Sequence, residues 1–305
     1  MTTWSTAIGI DVPIVNAPMG GVAGGRLAAA VSDAGGLGMI GMGSSATAAK
    51  LVDQLAYVEN LARPFGIGLI GWVVHNEPAL LDTALEARPA LLSVSFGDDW
   101  SWVARAHSAG ATTVTQVADL QEARRAVDAG VDVLVARGAE GGGHGRPKVA
   151  TLPLLVEVLE HLSVPVLAAG GIGSARAVSA VHTAGAAGVW VGTALAACAE
   201  SMLTDPAREV MFRAQNTDTV LSRAFDVALG YPWPRDLPER LLRNTFTDRW
   251  QDRDDDVDEN SRAALRIAID NDDYTIAPIN AGQSVGQVNA KEPAAKVIAR
   301  LTDTI

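Results

Sequence analysis

Short apolar runs alternate with segments of helical periodicity along the first 200 residues of the chain. The clearest helical segment spans residues 46–61, in which Leu51, Leu55 and Val58 recur at three- and four-residue steps. Eight apolar runs have the length of a strand, and they occupy residues 12–21, 37–41, 65–71, 91–95, 112–117, 131–135, 164–169 and 188–192. This alternation predicts an α/β protein with a parallel sheet whose strands are buried on both faces.

Eight strand–helix units favour a (β/α)8 TIM barrel, although an open, doubly wound sheet remains the structural alternative because periodicity does not show closure. We expect the barrel to occupy residues 1–200 and to be completed by residues 278–305. Residues 201–277 have a different character, with helical segments predicted at 205–214, 240–250 and 261–271, the last capped by Ser261. They predict a small, mainly helical second domain.

Composition narrows the class of protein. The chain has 305 residues, of which 48% are hydrophobic and 19% charged, as in a globular enzyme or binding protein. A formal net charge of −11 argues against a nucleic-acid partner. The single cysteine, Cys198, excludes an internal disulfide framework, and no histidine pair has metal-ligand spacing, so we predict no metal site. Neither a signal peptide nor a membrane span is indicated, and we expect a cytoplasmic protein.

A glycine-rich loop at residues 136–146 follows the sixth predicted strand and contains a single histidine, His144. Five glycines lie between residues 138 and 145, and glycine allows bare backbone N–H groups to approach a ligand. Imidazole is the side chain that titrates nearest neutral pH. The loop is therefore a candidate active site, in which Glu140 either orients His144 or caps the following segment.

Two further glycine turns follow the last two predicted strands, at residues 169–174 and at Gly192-Thr193. Barrel enzymes commonly hold a phosphate at this place, with loop amides and a helix N-terminus. The chain carries neither a Walker motif nor a Rossmann glycine fingerprint. We therefore predict that the phosphate belongs to a mononucleotide cofactor or to a phosphorylated substrate.

Several motifs occur in a characteristic order along the whole chain, namely residues 17–22, 34–38, 64–67, 140–145, 168–172, 192–193 and 281–286. Together they resemble the nitronate monooxygenase family, formerly called 2-nitropropane dioxygenases, and the related FMN-dependent enoyl-acyl carrier protein reductases. The resemblance implies an FMN-binding TIM barrel with a small second domain. It also implies that His144 is the base that removes the proton α to a nitro group.

The predicted cofactor-binding residues are Ala17, Pro18, Met19, Gly20, Gly68, Gln116, Gly138, Gly142, Gly143, Gly170, Gly171, Gly173, Gly192 and Thr193. The resemblance assigns the first three to the flavin ring and the last two, with Gly170 and Gly171, to the phosphate. Two positions depart from the family pattern. Gly141 replaces an alanine, and Gly68 stands where many relatives carry an asparagine that contacts the flavin.

Three functions are considered. The preferred one is an FMN-dependent nitronate monooxygenase that oxidises alkyl nitronates with O2 and takes a small-molecule substrate. The second is an NAD(P)H-dependent flavin reductase of an enoyl thioester or a quinone on the same fold. The third is a non-redox phosphate-binding barrel, such as an isomerase or an aldolase. It is disfavoured because no well-placed lysine is predicted at the end of a strand, since Lys148 lies in a loop and Lys50 in a helix. The use of NAD(P)H and a homodimer are left open, and no nucleic-acid or membrane partner is expected.

Overall fold

The computed structural model describes residues 3–303. Their strands are Ile14–Asn16 (β1), Gly38–Gly41 (β2), Phe65–Ile70 (β3), Leu91–Ser95 (β4), Thr112–Val117 (β5), Val133–Arg137 (β6), Gly143–His144 (β7), Val166–Ala169 (β8), Gly188–Val191 (β9), Thr219–Ser222 (β10) and Glu239–Leu242 (β11). Eight of them form one parallel sheet in the order β1-β9-β8-β6-β5-β4-β3-β2. These eight coincide with the eight strands predicted from the apolar runs.

The sheet closes between its two edge strands, β1 and β2. The Leu37 N–H donates to the Ile14 carbonyl at 2.9 Å, and the Asn16 N–H donates to the Leu37 carbonyl at 3.2 Å. The buried Asn16 side chain adds a bridge, because it accepts from the Met39 N–H at 2.6 Å and donates to the Met39 carbonyl at 2.9 Å. The predicted (β/α)8 barrel is therefore confirmed, and the open sheet is set aside.

The helices surround the barrel or belong to the segment that follows β9. Their bounds are Thr3–Ile8 (α1), Gly25–Asp33 (α2), Ala48–Leu55 (α3), Gly71–Asn76 (α4), Pro78–Glu86 (α5), Ser101–Ser108 (α6), Leu120–Asp128 (α7), Thr151–His161 (α8), Ala175–Thr183 (α9), Thr193–Ala196 (α10), Asp205–Arg213 (α11), Ala224–Leu229 (α12), Thr245–Trp250 (α13), Glu259–Asp270 (α14) and Ala294–Thr302 (α15). No helix within residues 3–303 is long and apolar enough to cross a membrane.

Successive side chains of each strand point to opposite faces of the sheet, and this divides the core into two layers. In β6, Val133 and Val135 belong to a cluster inside the barrel together with Trp190, while Leu134 and Ala136 pack outward against the helices. A strand that is buried on both faces reads as an unbroken apolar run, which explains why the sequence revealed these strands. The C-terminal helix α15 packs on α2 and α9 and thus returns the chain to the barrel.

Residues 201–277 contain helices α11–α14 and also two strands that the helical patterns did not predict. Strands β10 and β11 pair antiparallel, and β11 also pairs with β7, which lies in the glycine-rich loop. A separate apolar cluster, which includes Phe225, Phe246 and Trp250, packs inside this segment. The sheet therefore connects the segment after the barrel directly to the loop that carries His144.

Three local predictions require correction. The helix expected from Arg240 begins at Thr245, because residues 239–242 form β11 and Asn244 caps α13 through the Thr247 N–H. Helix α14 is capped by the Asp258 side chain rather than by Ser261, whose N–H is the donor to that cap. Gly71, predicted as the last residue of the third strand, is the first residue of helix α4, because the strand ends at Ile70.

Candidate functional site

A cavity of about 620 Å³ opens at the carboxyl ends of the barrel strands. This is the end at which barrel enzymes place their active sites, and the volume is typical of a site for a cofactor or other small molecule. Twelve of the fourteen predicted cofactor residues line it together with His144, namely Ala17, Pro18, Met19, Gly20, Gly68, Gln116, Gly142, Gly143, Gly170, Gly171, Gly192 and Thr193.

The other two predicted residues, Gly138 and Gly173, lie behind the cavity wall. A Cβ added at Gly138 would lie 2.1 Å from Oγ1 of Thr151, and one added at Gly173 would lie 2.6 Å from Oε1 of Gln287. Both glycines therefore allow close packing of the backbone that supports the wall. Both glycines were predicted to contact the cofactor, but neither lines the cavity.

One end of the cavity is built from backbone N–H groups. Gly170 and Gly171 adopt positive φ angles of 108° and 70°, which glycine tolerates best. Gly192 and Thr193 form the start of α10, whose first N–H groups point along the helix axis without intrahelical acceptors. Within residues 3–303, the N–H groups of Gly192 and Thr193 donate no hydrogen bond. Such a cradle fits a phosphate group.

Gly68 lies beside Pro18 at the other end of the cavity. A Cβ added at Gly68 would lie 2.2 Å from the Pro18 Cβ and 2.3 Å from its Cγ. A side chain at position 68 therefore requires the Pro18 ring to move. Gly68 therefore allows the Pro18 ring to pack directly against the backbone of β3.

Arg137, at the end of β6, holds the glycine-rich loop in shape. Its Nη2 donates to the carbonyl oxygens of Gly141 at 2.8 Å, Gly142 at 3.2 Å and Gly143 at 2.9 Å. Burial, followed by the nearby charge of Arg240, lowers the pKa of Arg137 to about 10, against the opposing influence of Glu140. The guanidinium consequently stays charged near neutral pH, and the charge strengthens its bonds to the carbonyls.

The role of Glu140, which the sequence left open, is to cap helix α8. Its carboxylate accepts hydrogen bonds from the Thr151 N–H at 3.0 Å and from the Thr151 hydroxyl at 3.0 Å. Thr151 is the first residue of α8, where a carboxylate is favoured by the helix dipole. Glu140 therefore fixes the far end of the loop, while His144 has another partner.

That partner is Asp226, which lies in α12. Its Oδ2 is 2.9 Å from Nε2 of His144, and the two side chains are only 6% and 14% exposed, respectively. The imidazole also stacks on the Trp233 indole, with ring centroids 3.6 Å apart and an interplanar angle of 6°. Two residues that are distant in sequence thus determine the orientation of the histidine. Neither Asp226 nor Trp233 was among the site residues predicted from the sequence.

Glu239 completes a cluster with these two groups. It lies opposite His144 in the β7–β11 ladder, and the donor atoms of His144, Asp226 and Glu239 lie within 4.8 Å of one another. Burial and then the neighbouring Asp226 raise the pKa of Glu239 well above its usual value, and a hydrogen bond with Asn280 opposes this. The protonated form of Glu239 is thereby favoured. The same three side chains could hold a metal ion. The spacing of residues in the sequence did not reveal this cluster, because its members come from three separate segments.

The other four histidines and the single cysteine do not line the cavity. His75 is exposed on α4 and does not line the cavity, and His107, His161 and His182 are exposed on helices. Cys198 is buried, and burial raises the pKa of its thiol to about 12, so the thiol stays protonated near neutral pH. Among the histidines, the described cavity therefore contains His144 alone.

Comparisons with known proteins agree with the family that the order of the motifs indicated. The nitronate monooxygenase family model matches residues 2–76 and 74–304 of this chain. A probable nitronate monooxygenase of Staphylococcus aureus is 28% identical over 296 residues, which cover 79% of this chain and 83% of that protein. A Rhodococcus jostii protein named (3aS,4S,5R,7aS)-5-hydroxy-7a-methyl-1-oxo-octahydro-1H-indene-4-carboxyl-CoA dehydrogenase is 31% identical over 231 residues, which cover 74% of this chain. The match spans 65% of that relative, slightly less than two thirds of its length.

Solved structures are similar over nearly the whole chain. FabK from Thermotoga maritima superposes with a TM-score of 0.87 at 28% identity, and the match covers 99% of this chain and 95% of that one. A nitroalkane oxidase from Streptomyces ansochromogenes has a TM-score of 0.85 at 27% identity, with 98% and 97% covered. The predicted family is thus confirmed: this chain is an oxidoreductase that belongs to the nitronate monooxygenase family.

Proposed function

We propose that this protein is an FMN-dependent nitronate monooxygenase that oxidises alkyl nitronates with O2 and uses His144 as a base. The observation that carries the proposal is the meeting, in one cavity, of the His144 imidazole with the free N–H groups of Gly192 and Thr193. The first suits removal of a proton, and the second suits the phosphate of a mononucleotide. Membership of a family of oxidoreductases makes the non-redox barrel the weakest of the three candidates.

The lining residues fit FMN. Gly170, Gly171, Gly192 and Thr193 would hold its phosphate, and the positive φ angles of the first two let the backbone approach it. Residues 17–19, together with Gln116, Gly142 and Gly143, would surround the ring. When bound, the flavin supplies the redox chemistry, accepting electrons from the substrate and passing them to O2.

His144 would perform the proton transfer. With a neutral nitroalkane, the C–H bond α to the nitro group breaks and an N–H bond forms on the imidazole, while the electron pair stays on the substrate as a nitronate. The resulting imidazolium is stabilised by the carboxylate of Asp226, 2.9 Å away. A substrate supplied as nitronate does not need this step.

The second candidate function is an NAD(P)H-dependent reductase of an enoyl thioester or a quinone. The size of the cavity favours it, because the lining extends beyond the predicted cofactor residues to Lys50, Gln54, Met202 and Tyr231. This outer part offers room for a substrate larger than a small nitronate. Both candidates use the same fold and the same flavin.

Anaerobic reduction of the purified flavoprotein distinguishes the two candidates. We expect an alkyl nitronate to bleach the flavin absorbance, NADH and NADPH to leave it unchanged, and O2 to restore it. The cofactor released by denaturation should be FMN. Rapid bleaching by NADH or NADPH without any reaction of nitronate would overturn the proposal in favour of the reductase. A protein that purifies without flavin and binds none would overturn both. A homodimer and a cytoplasmic location remain predictions.

A further inference from the structure

The cavity contains one carboxylate that contacts the proposed base, and it comes from outside the barrel. Asp226 lies in the first turn of α12, the helix that Gly230 ends in a left-handed conformation with φ 76°. A carboxylate near a helix N-terminus is stabilised in its ionised form. Because an ionised carboxylate can only accept hydrogen bonds, the proton in the 2.9 Å contact between His144 and Asp226 must lie on Nε2 of the imidazole.

Glu239 supports this assignment of charge. Its carboxyl and that of Asp226 belong to one buried cluster, and two like charges at this spacing are unfavourable. The pKa of Glu239 is the one raised, first by burial and then by Asp226, so Glu239 is the group that keeps its proton. The carboxylate oxygen that contacts His144 is Oδ2 of Asp226.

The other imidazole nitrogen has no such partner. Within residues 3–303, Nδ1 of His144 makes no hydrogen bond, and the ring lines the cavity. The Trp233 indole also stacks on the imidazole, at a centroid distance of 3.6 Å, and fixes the orientation of the ring. A neutral imidazole that carries its proton on Nε2 presents a lone pair on Nδ1.

We propose that Asp226 is the positioning residue of this site: its carboxylate keeps the proton of His144 on Nε2 and leaves Nδ1 as the atom that accepts the substrate's proton. The inference rests on the proposed function, in which His144 is the base. In the step itself, the substrate C–H bond breaks, the Nδ1–H bond forms, and the electron pair stays on the substrate. The imidazolium formed lies beside the negative Asp226.

The position of the proton can be measured directly on the flavin-loaded, full-length protein. The chain has 5 histidines, so ¹⁵N-histidine labelling gives few signals, and His144→Gln identifies the signal of the cavity residue. We expect His144 to carry its proton on Nε2 in its neutral form. A proton on Nδ1 would overturn the proposal. This measurement requires no substrate, so it is independent of whether the protein oxidises nitronates.

Asp226→Asn tests the consequence for reactivity. An asparagine amide can donate to Nε2, which moves the imidazole proton to Nδ1 and blocks the proposed basic atom. We expect flavin reduction by a neutral nitroalkane to slow by roughly 10²–10⁴-fold, reduction by the nitronate to change by less than about tenfold, and FMN to stay bound. Equal losses with both substrates, or no loss with either, would overturn the positioning role. If the variant does not fold, the ¹⁵N measurement on the unmodified chain still decides.

A second histidine–aspartate pair provides a matched control. Nε2 of His107 lies 2.9 Å from Oδ2 of Asp132, but both side chains are 42% exposed and neither lines the cavity. Asp132 immediately precedes the strand segment 133–137, so this pair lies at the amino end of the barrel, away from the site. Asp132→Asn should leave the His144 tautomer and both flavin-reduction rates unchanged. A loss as large as that of Asp226→Asn would show that the effect does not depend on the site.

Discussion

The imidazole of His144 and the indole of Trp233 lie face to face, with their centroids 3.6 Å apart and their planes 6° from parallel. The barrel holds the indole in turn. Its Nε1 donates to the Ser44 hydroxyl at 3.0 Å, and the rings of Trp72 and Phe96 contact it edge-on. The histidine therefore rests on an aromatic surface fixed by the barrel, which limits the rotamers open to its side chain.

Trp233→Ala should remove this constraint. We expect the variant to lose about 3–5 kcal/mol of unfolding free energy and to reduce its flavin up to roughly 10²-fold more slowly with a neutral nitroalkane, because misplacement of a reacting group is costly. Anaerobic stopped-flow absorbance measures the rate. Trp102→Ala is the control, since Trp102 is equally buried but packs outside the cavity. A wild-type rate for folded Trp233→Ala would contradict the positioning effect.

His144→Ala should separate chemistry from architecture. The imidazole is not part of the glycine cradle, so FMN should remain bound, while proton removal from a neutral nitroalkane slows by about 10²–10⁴-fold. The nitronate, which is already deprotonated, should lose much less. His161→Ala, at the exposed end of α8, is the matched control and should match the unmodified protein. Equal losses with nitroalkane and nitronate would contradict the assignment of His144 as base.

The barrel could be predicted from the sequence because each of its strands is a short, contiguous segment with a recognisable pattern. Each strand is a short apolar run, and each of the eight overlaps one of the runs predicted from the sequence. The position of Gly170, Gly171, Gly192 and Thr193 in the cavity lining could be predicted for a similar reason, since barrel topology brings the carboxyl ends of neighbouring strands to one face.

The acid–base cluster could not be predicted in the same way. Asp226 is 82 positions from His144, and its approach depends on a two-residue strand, β7, which is too short to give a periodic pattern. The partner strand, β11, was mistaken for the start of a helix because Glu239–Leu242 does not alternate polar and apolar residues. All four of its residues are buried, including Glu239 and Arg240, and the burial of such polar side chains depends on the tertiary structure rather than on a local pattern.

Arg137→Met should loosen the glycine-rich loop. The substitution keeps an apolar stem of similar length but removes three hydrogen bonds to the carbonyls of residues 141–143. Each buried acceptor left without a donor costs about 1–3 kcal/mol, so we expect a loss of more than about 2 kcal/mol in unfolding free energy. FMN affinity should fall by at least about tenfold. Urea denaturation and quenching of FMN fluorescence on binding measure the two effects.

Arg125→Met is the matched control for this prediction, because Arg125 is exposed on α7 and makes no contact with the loop carbonyls. It should change unfolding free energy by less than about 0.5 kcal/mol. If Arg137→Met behaved like Arg125→Met in both measurements, the three bonds would not determine the conformation of the loop.

Glu239→Gln should change how stability depends on pH. The pKa of Glu239 is raised above 4.5 in the folded protein, first by burial and then by Asp226. As pH rises above about 4.5, the unfolded chain releases this proton while the folded chain keeps it. The unfolded state is therefore favoured by about 1.4 kcal/mol for each pH unit until the folded carboxyl also ionises.

Glutamine releases no proton in either state, so this loss of stability should disappear in the variant. We expect Glu239→Gln and the unmodified protein to have similar unfolding free energies near pH 5, and the variant to become progressively more stable by comparison towards pH 7. Urea denaturation at three pH values across that range measures the difference. Glu259→Gln, at a side chain that is 78% exposed on α14, should follow the unmodified protein throughout. Parallel curves for Glu239→Gln and the unmodified protein would mean that Glu239 ionises in the folded state much as it does in the unfolded chain.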